Sequence, residues 1–145
     1  MAIVTKINDL SEQISKGVHQ FGTHVFKLAL CSVAPAVTDT QLSDLIQIAY
    51  TNISGATAPT VTIGISEDSG TTTVIGDKVV ITATAIVPTF RYYVLYNDTA
   101  TNKNLVCSWD HGSNVDLLNS EDTFSVKFNN TEPSGIIFTL AYRCI

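Results

Sequence analysis

From residue 59 onward the chain is a succession of short runs rich in β-branched and aromatic residues, each closed by turn-forming residues. That punctuation admits strands and tight turns and leaves no room for a long helix. The runs cover residues 60–65, 78–86, 90–96, 103–109, 124–128 and 135–142, and an earlier one covers 23–31 before Pro35 stops it. Asn97 and Asp98 lie between the third and fourth runs, where their side chains bond nearby backbone, so residues 90–109 read as a hairpin. The last run is almost wholly apolar and reads as an interior strand. Segments 53–59 and 67–73, rich in Ser, Thr, Gly and Ala, read as exposed loops. Residues 39–49 admit either a short helix from Thr40 or an irregular crossing. About seven strands at short regular intervals predict an all-β fold, a β-sandwich or jelly-roll-like domain.

Residues 3–17 break this texture. Ile3, Ile7, Leu10 and Ile14 recur at the spacing of one helical face, and Gly17 suits the left-handed residue that closes a helix. The chain therefore divides into an N-terminal amphipathic helix or arm, residues 1–20, and a single β-sandwich domain, residues 21–145. A helix this short is not stable alone in water. Its stripe of Ile3, Ile7, Leu10 and Ile14 must dock on something, which makes these four residues the predicted interface.

Charge narrows the partners. Only 14% of the residues are charged, against about 25% in an ordinary soluble domain, so the exterior is expected to be covered in part by neighbouring chains. The formal net charge of −5 supplies no cationic field for phosphates, and nucleic-acid binding is not expected. No apolar run approaches the ~20 residues of a membrane helix. The N-terminus lacks a basic leader with an apolar run and cleavage site, so neither membrane insertion nor export is expected. Cys31, Cys107 and Cys144 are odd in number and form no CxxC pair. They read as free, buried thiols, with an intermolecular link through Cys144 as the alternative.

The residue patterns suggest no catalytic centre, cofactor or metal site. His19, His24 and His111 show no HxH or HExxH spacing, and neither a nucleophile elbow nor a phosphate-binding loop occurs. Asp110-His111-Gly112 is the one arrangement with chemical interest, but neighbours on a strand point to opposite faces, so a surface histidine is expected there. Phe90, Tyr92, Tyr93, Tyr96 and Trp109 read as core and cross-strand packing; the alternative is a stacking platform for carbohydrate. Strand alternation places Phe90 and Tyr92 on one face and Tyr93 on the other.

The stretch FRYYVLYNDTATNK at 90–103, followed by Trp109-Asp110-His111-Gly112-Ser113, resembles a signature of small tailed-phage and prophage virion structural proteins, FRYxVLYNDT and then Trp, Asp, an aromatic and Gly-Ser. The resemblance extends to Lys16-Gly17-Val18-His19, Phe26-Lys27-Leu28-Ala29-Leu30, Phe124-Ser125-Val126 and Gly135-Ile136-Ile137. The chain departs from the pattern at residues 50–59, where relatives carry a glycine-rich segment, and in its last four residues. The resemblance implies a capsid decoration (cement) protein on the phage head surface, assembled in the host cytoplasm. Its partners would be the major capsid protein and copies of itself, with a trimer expected. The alternative is a tail- or fibre-associated structural protein contacting other tail proteins or host glycan. It implies no catalytic residue.

Overall fold

A computed structural model describes residues 2–145. Its strands are β1 (Ile3–Lys6), β2 (Phe26–Cys31), β3 (Thr60–Val61), β4 (Ile63–Asp68), β5 (Thr71–Asp77), β6 (Val79–Thr82), β7 (Phe90–Asn97), β8 (Leu105–Val115), β9 (Thr123–Val126) and β10 (Ser134–Leu140). The α-helix among the described residues is α1 (Leu10–Ser15). A five-stranded sheet runs β1-β8-β7-β2-β3, a three-stranded sheet β10-β5-β4, and a two-stranded sheet pairs β6 with β9. All pairings are antiparallel. The fold is all-β and sandwich-like, as the punctuated runs predict.

The five-stranded sheet is covered on both faces. Along β2, Phe26, Leu28 and Leu30 point inward to the main core, where Phe90, Leu95 and Val106 meet Val74, Ile81 and Val126 of the smaller sheets and Phe128 of the 3-10 turn after β9. The alternate residues Ala29 and Cys31 point the other way, with Val94, Tyr96, Leu105 and Ile7, beneath Leu42, Leu45, Tyr50 and Ala58 of the connection before β3. Apolar residues at both parities of β2 demand cover on both sides, and each large side chain fully buried stabilises the fold by roughly 1.5–3 kcal/mol. The ambiguous stretch at 39–49 supplies that cover as a crossing with a single 3-10 turn at Leu42–Asp44.

The hairpin forms as expected. The Asn97 side-chain oxygen accepts the backbone N–H of both Thr99 and Ala100, which fixes the turn after β7. The N-terminal segment does not form as expected. Residues 3–6 are a strand paired with β8, Ile3 opposite Asp110 and Lys6 opposite Cys107, and the helix starts only at Leu10. Ile3, Val4 and Thr5 are β-branched and prefer the extended backbone, so the helical spacing of Ile3 and Ile7 is incidental. Residues 2–20 are thus built into the main sheet and core, not set apart as an arm. Gly17 does take the left-handed conformation, φ 76°, after α1.

Two further expectations change. Segment 67–73 is not a loop: β4 and β5 extend through it and turn at Ser69-Gly70, whose φ values of 53° and 85° suit a tight two-residue hairpin. The apolar β10 is an edge strand, paired with β5 alone. Its alternate residues Gly135 and Ile137 are buried while Ile136 faces outward.

Candidate functional site

Two sheet edges meet along one flank of the molecule. β1 is the outer strand of the five-stranded sheet and β10 the outer strand of the three-stranded sheet. Val4 and Ile137 line two adjoining depressions, a polar cleft of about 530 Å³ and an apolar groove of about 480 Å³. The sandwich is open here because neither edge has a strand partner on its outer side among the described residues.

The polar cleft draws on β1, β7, β8, β9, β10 and the turn at Phe128–Asn130. Trp109 and His111 project from the same face of β8, two residues apart. Tyr93 lies opposite Trp109 in register, with ring centroids 5.7 Å apart and stacked. Phe128 packs on Trp109 at 5.3 Å, so protein rings flank the indole and the side chain is only 6% exposed. Neither the indole N–H of Trp109 nor the hydroxyl of Tyr93, itself 4% exposed, is engaged by a described residue, and neither is a sealed, unsatisfied atom. Burial, and then the charge of Asp110, push the Tyr93 hydroxyl up to about 12, so it remains a protonated donor at neutral pH.

Ser125, Lys127, Asn129 and Asn130 form the facing wall. Asn129 and Asn130 hold left-handed backbones, φ 49° and 51°, a conformation asparagine tolerates better than most residues. The Lys127 ammonium rests 3.4 Å from Glu132, which also binds Lys78 at 2.7 Å. No carboxylate lines the cleft. The wall is therefore three neutral polar side chains and one paired ammonium beside the apolar side chains of Val4, Ile136 and Ile137.

The aromatic residues named from sequence are mostly core. Phe90, Tyr93 and Trp109 join the main cluster, and Tyr92 and Tyr96 the second. Phe90 does not share a face with Tyr92, because pairing between β7 and β8 slips between these two residues. Asp110 and His111 do point apart. Asp110 accepts two hydrogen bonds from Arg91, which hold its carboxyl below the usual range, while His111 packs edge-on against Phe124 at 5.0 Å. Sequence reasoning missed Ser125, Lys127, Asn129 and Asn130. The signal was the Asn-Asn pair after a strand, a turn-prone dipeptide next to an aromatic run.

The four residues predicted as one interface stripe are dispersed. Ile3 is 69% exposed on the β1 edge, Ile7 and Leu10 are buried in different clusters of this chain, and Ile14 packs partly against the main core. Leu10 and Ile14 share the apolar groove with Phe138 and Leu140. A different apolar surface stands out. Val33, Ile46, Ile86 and Leu118 are each more than half exposed. All four lie at one end of the sandwich, where the end of β2 meets the start of β7 and the end of β8. The opposite end carries the ion pairs of Asp98 with Lys27 and Lys103.

The remaining displaced ionisable groups are buried or paired. Cys31 is pushed up to about 12 by burial, and Cys107 is raised by burial; both are buried free thiols, whereas Cys144 is exposed. Among the described residues no group of three or more His, Cys, Asp or Glu is placed to hold a metal ion, and no helix is long and apolar enough to cross a membrane. Comparison with protein-family models, curated proteins and solved structures gives no match to this chain.

Proposed function

We propose that this chain is a virion structural protein, a capsid decoration protein that stabilises a tailed-phage head by binding the major capsid protein and copies of itself. The observation that carries the reading is the apolar end formed by Val33, Ile46, Ile86 and Leu118, on a chain with few charged residues. A monomer that leaves several large aliphatic side chains exposed at one end has surface suited to a partner. The signature at residues 90–113 points to the same class of protein. In this reading the contact surface is the apolar end together with the exposed β1 edge, in place of a helical stripe.

The mechanism is linkage. A protein that binds only the assembled lattice lowers the free energy of that lattice, by ~2.7 kcal/mol per site when present at 100 times its Kd. No bond is made or broken, and no residue is asked to transfer a proton. The test is binding of the purified chain to heads that lack it, with Ile86→Asp and Leu118→Asp as perturbations. Both positions are solvent-facing, so the variants keep their folding midpoint while losing head binding. Undiminished binding of the double variant removes this reading. Density for the chain on the tail, with none on the head, replaces it with the tail-associated alternative.

A further inference from the structure

We propose that the polar cleft between β1, β8, β9 and β10 is a binding site for a neutral saccharide. Two side chains that are more than nine-tenths buried, Trp109 and Tyr93, offer the cleft an indole N–H and a phenolic O–H that no described residue engages. Neither group is sealed from solvent, so a ligand hydroxyl can take the place of the water that meets it. The cleft has other polar groups. Ser125 brings a hydroxyl, Asn129 and Asn130 bring amides, and His111 brings an imidazole. Each of these side chains offers hydrogen-bonding groups to a ligand.

Charge and shape select the ligand class. Among the described residues the lining has no carboxylate to hold a cation, and its one cation, Lys127, shares Glu132 with Lys78. An anion must compete with Glu132 for Lys127. The volume of about 530 Å³ falls within the ~300–1,000 Å³ of small-molecule sites. One wall is aliphatic, from Val4, Ile136 and Ile137, and the other is hydrogen-bonding. A pyranose has that same division, with apolar C–H faces and a rim of hydroxyls. Recognition is by hydrogen bonding from the rim, since Tyr93 and Phe128 flank the indole of Trp109 and leave no open stacking platform. The site adjoins the β1 edge through Val4 but includes none of Val33, Ile46, Ile86 and Leu118, and its test needs no capsid, so the two proposals fail separately.

The chain has one tryptophan, so the indole N–H of Trp109 gives a single, unambiguous resonance in a ¹⁵N-labelled sample of the full chain. Maltose, lactose and chitobiose serve as neutral probes and sialyllactose as an anionic one. At least one neutral disaccharide shifts the Trp109 indole resonance saturably, with a Kd near ~1 mM for a single weak site. Asn130→Gly, which suits the left-handed backbone at that position, weakens binding about tenfold by deleting one amide. His111→Ala with Ser125→Ala, both on accessible positions, does the same. No shift with any neutral probe, binding of sialyllactose alone, or a shift that persists in both variants overturns the assignment.

Discussion

Acid sensitivity centred on His19 is the sharpest consequence of the packing. His19 is 5% exposed, and its Nδ1 lies 3.3 Å from the Asn97 side-chain nitrogen, which also reaches His24 Nδ1 at 2.9 Å and the Val18 carbonyl at 3.0 Å. The Asn97 amide cannot be turned round, because its oxygen accepts the N–H groups of Thr99 and Ala100. Its nitrogen therefore faces His19 Nδ1 as a donor group, which suits an unprotonated Nδ1. Protonating His19 sets donor against donor in a buried site. Burial drives its pKa down from 6.5 to about 4, only partly offset by the Leu105 backbone and the Asp9 carboxylate. The unfolded chain binds the proton first, so stability is fully present above pH 6.5 and falls as pH drops toward 4. Each tenfold difference in proton affinity is worth about 1.4 kcal/mol, which gives a loss of about 2 kcal/mol at pH 5 and about 3 kcal/mol at pH 4. Glu12, Glu132, Asp44, Asp98 and Asp110, each lowered chiefly by hydrogen bonds to the carboxylate, lose their contributions progressively below about pH 5. The interval from about pH 6.5 to 5 is therefore left to His19. Urea unfolding at half-unit pH steps measures it. His19→Gln, which cannot titrate, flattens the dependence over that interval even if its baseline stability is lower. The same slope in wild type and variant refutes the reasoning.

Other perturbations test the packing directly. A Cβ at Gly76 would meet the Phe128 ring at 2.7 Å and Ile137 at 2.9 Å, so Gly76→Ala destabilises by ~1–3 kcal/mol, read as a lowered thermal midpoint. An unchanged midpoint would mean that the β5–β10 layer is looser than described. In the native protein a thiol reagent modifies Cys144 rapidly and spares Cys31 and Cys107, because burial withholds both access and the thiolate. Three thiols reacting at one rate would contradict that burial.

The sequence made the strands and the hairpin legible because alternation and turn chemistry are local. The Asn97 turn is a case in point: its hydrogen bonds reach only two and three residues ahead. The N-terminal segment was misread because its partner, β8, lies about a hundred residues away in sequence. Nothing within Ile3–Lys6 signals that pairing, while the spacing with Ile7 imitates a helix. The apolar β10 misled for a related reason, since composition reports how much of a strand is buried but not how many neighbours it has. The cleft was hidden almost entirely. Trp109 and Tyr93 were visible as core aromatics, yet their polar edges acquire meaning only when β9 and the Asn129-Asn130 turn arrive from a separate run of sequence.

The pairing of β1 with β8 also bears on how the chain is made. Synthesis runs at ~5–20 residues per second, so roughly 5–20 seconds separate the emergence of residue 3 from that of Asp110, its partner across the sheet. Throughout that interval Ile3 and Val4 are an unclaimed β template, with Lys6 as the nearest charge to discourage pairing with a stranger. β1 therefore stays unpaired while β2 to β7 emerge and can be seated only when β8 follows.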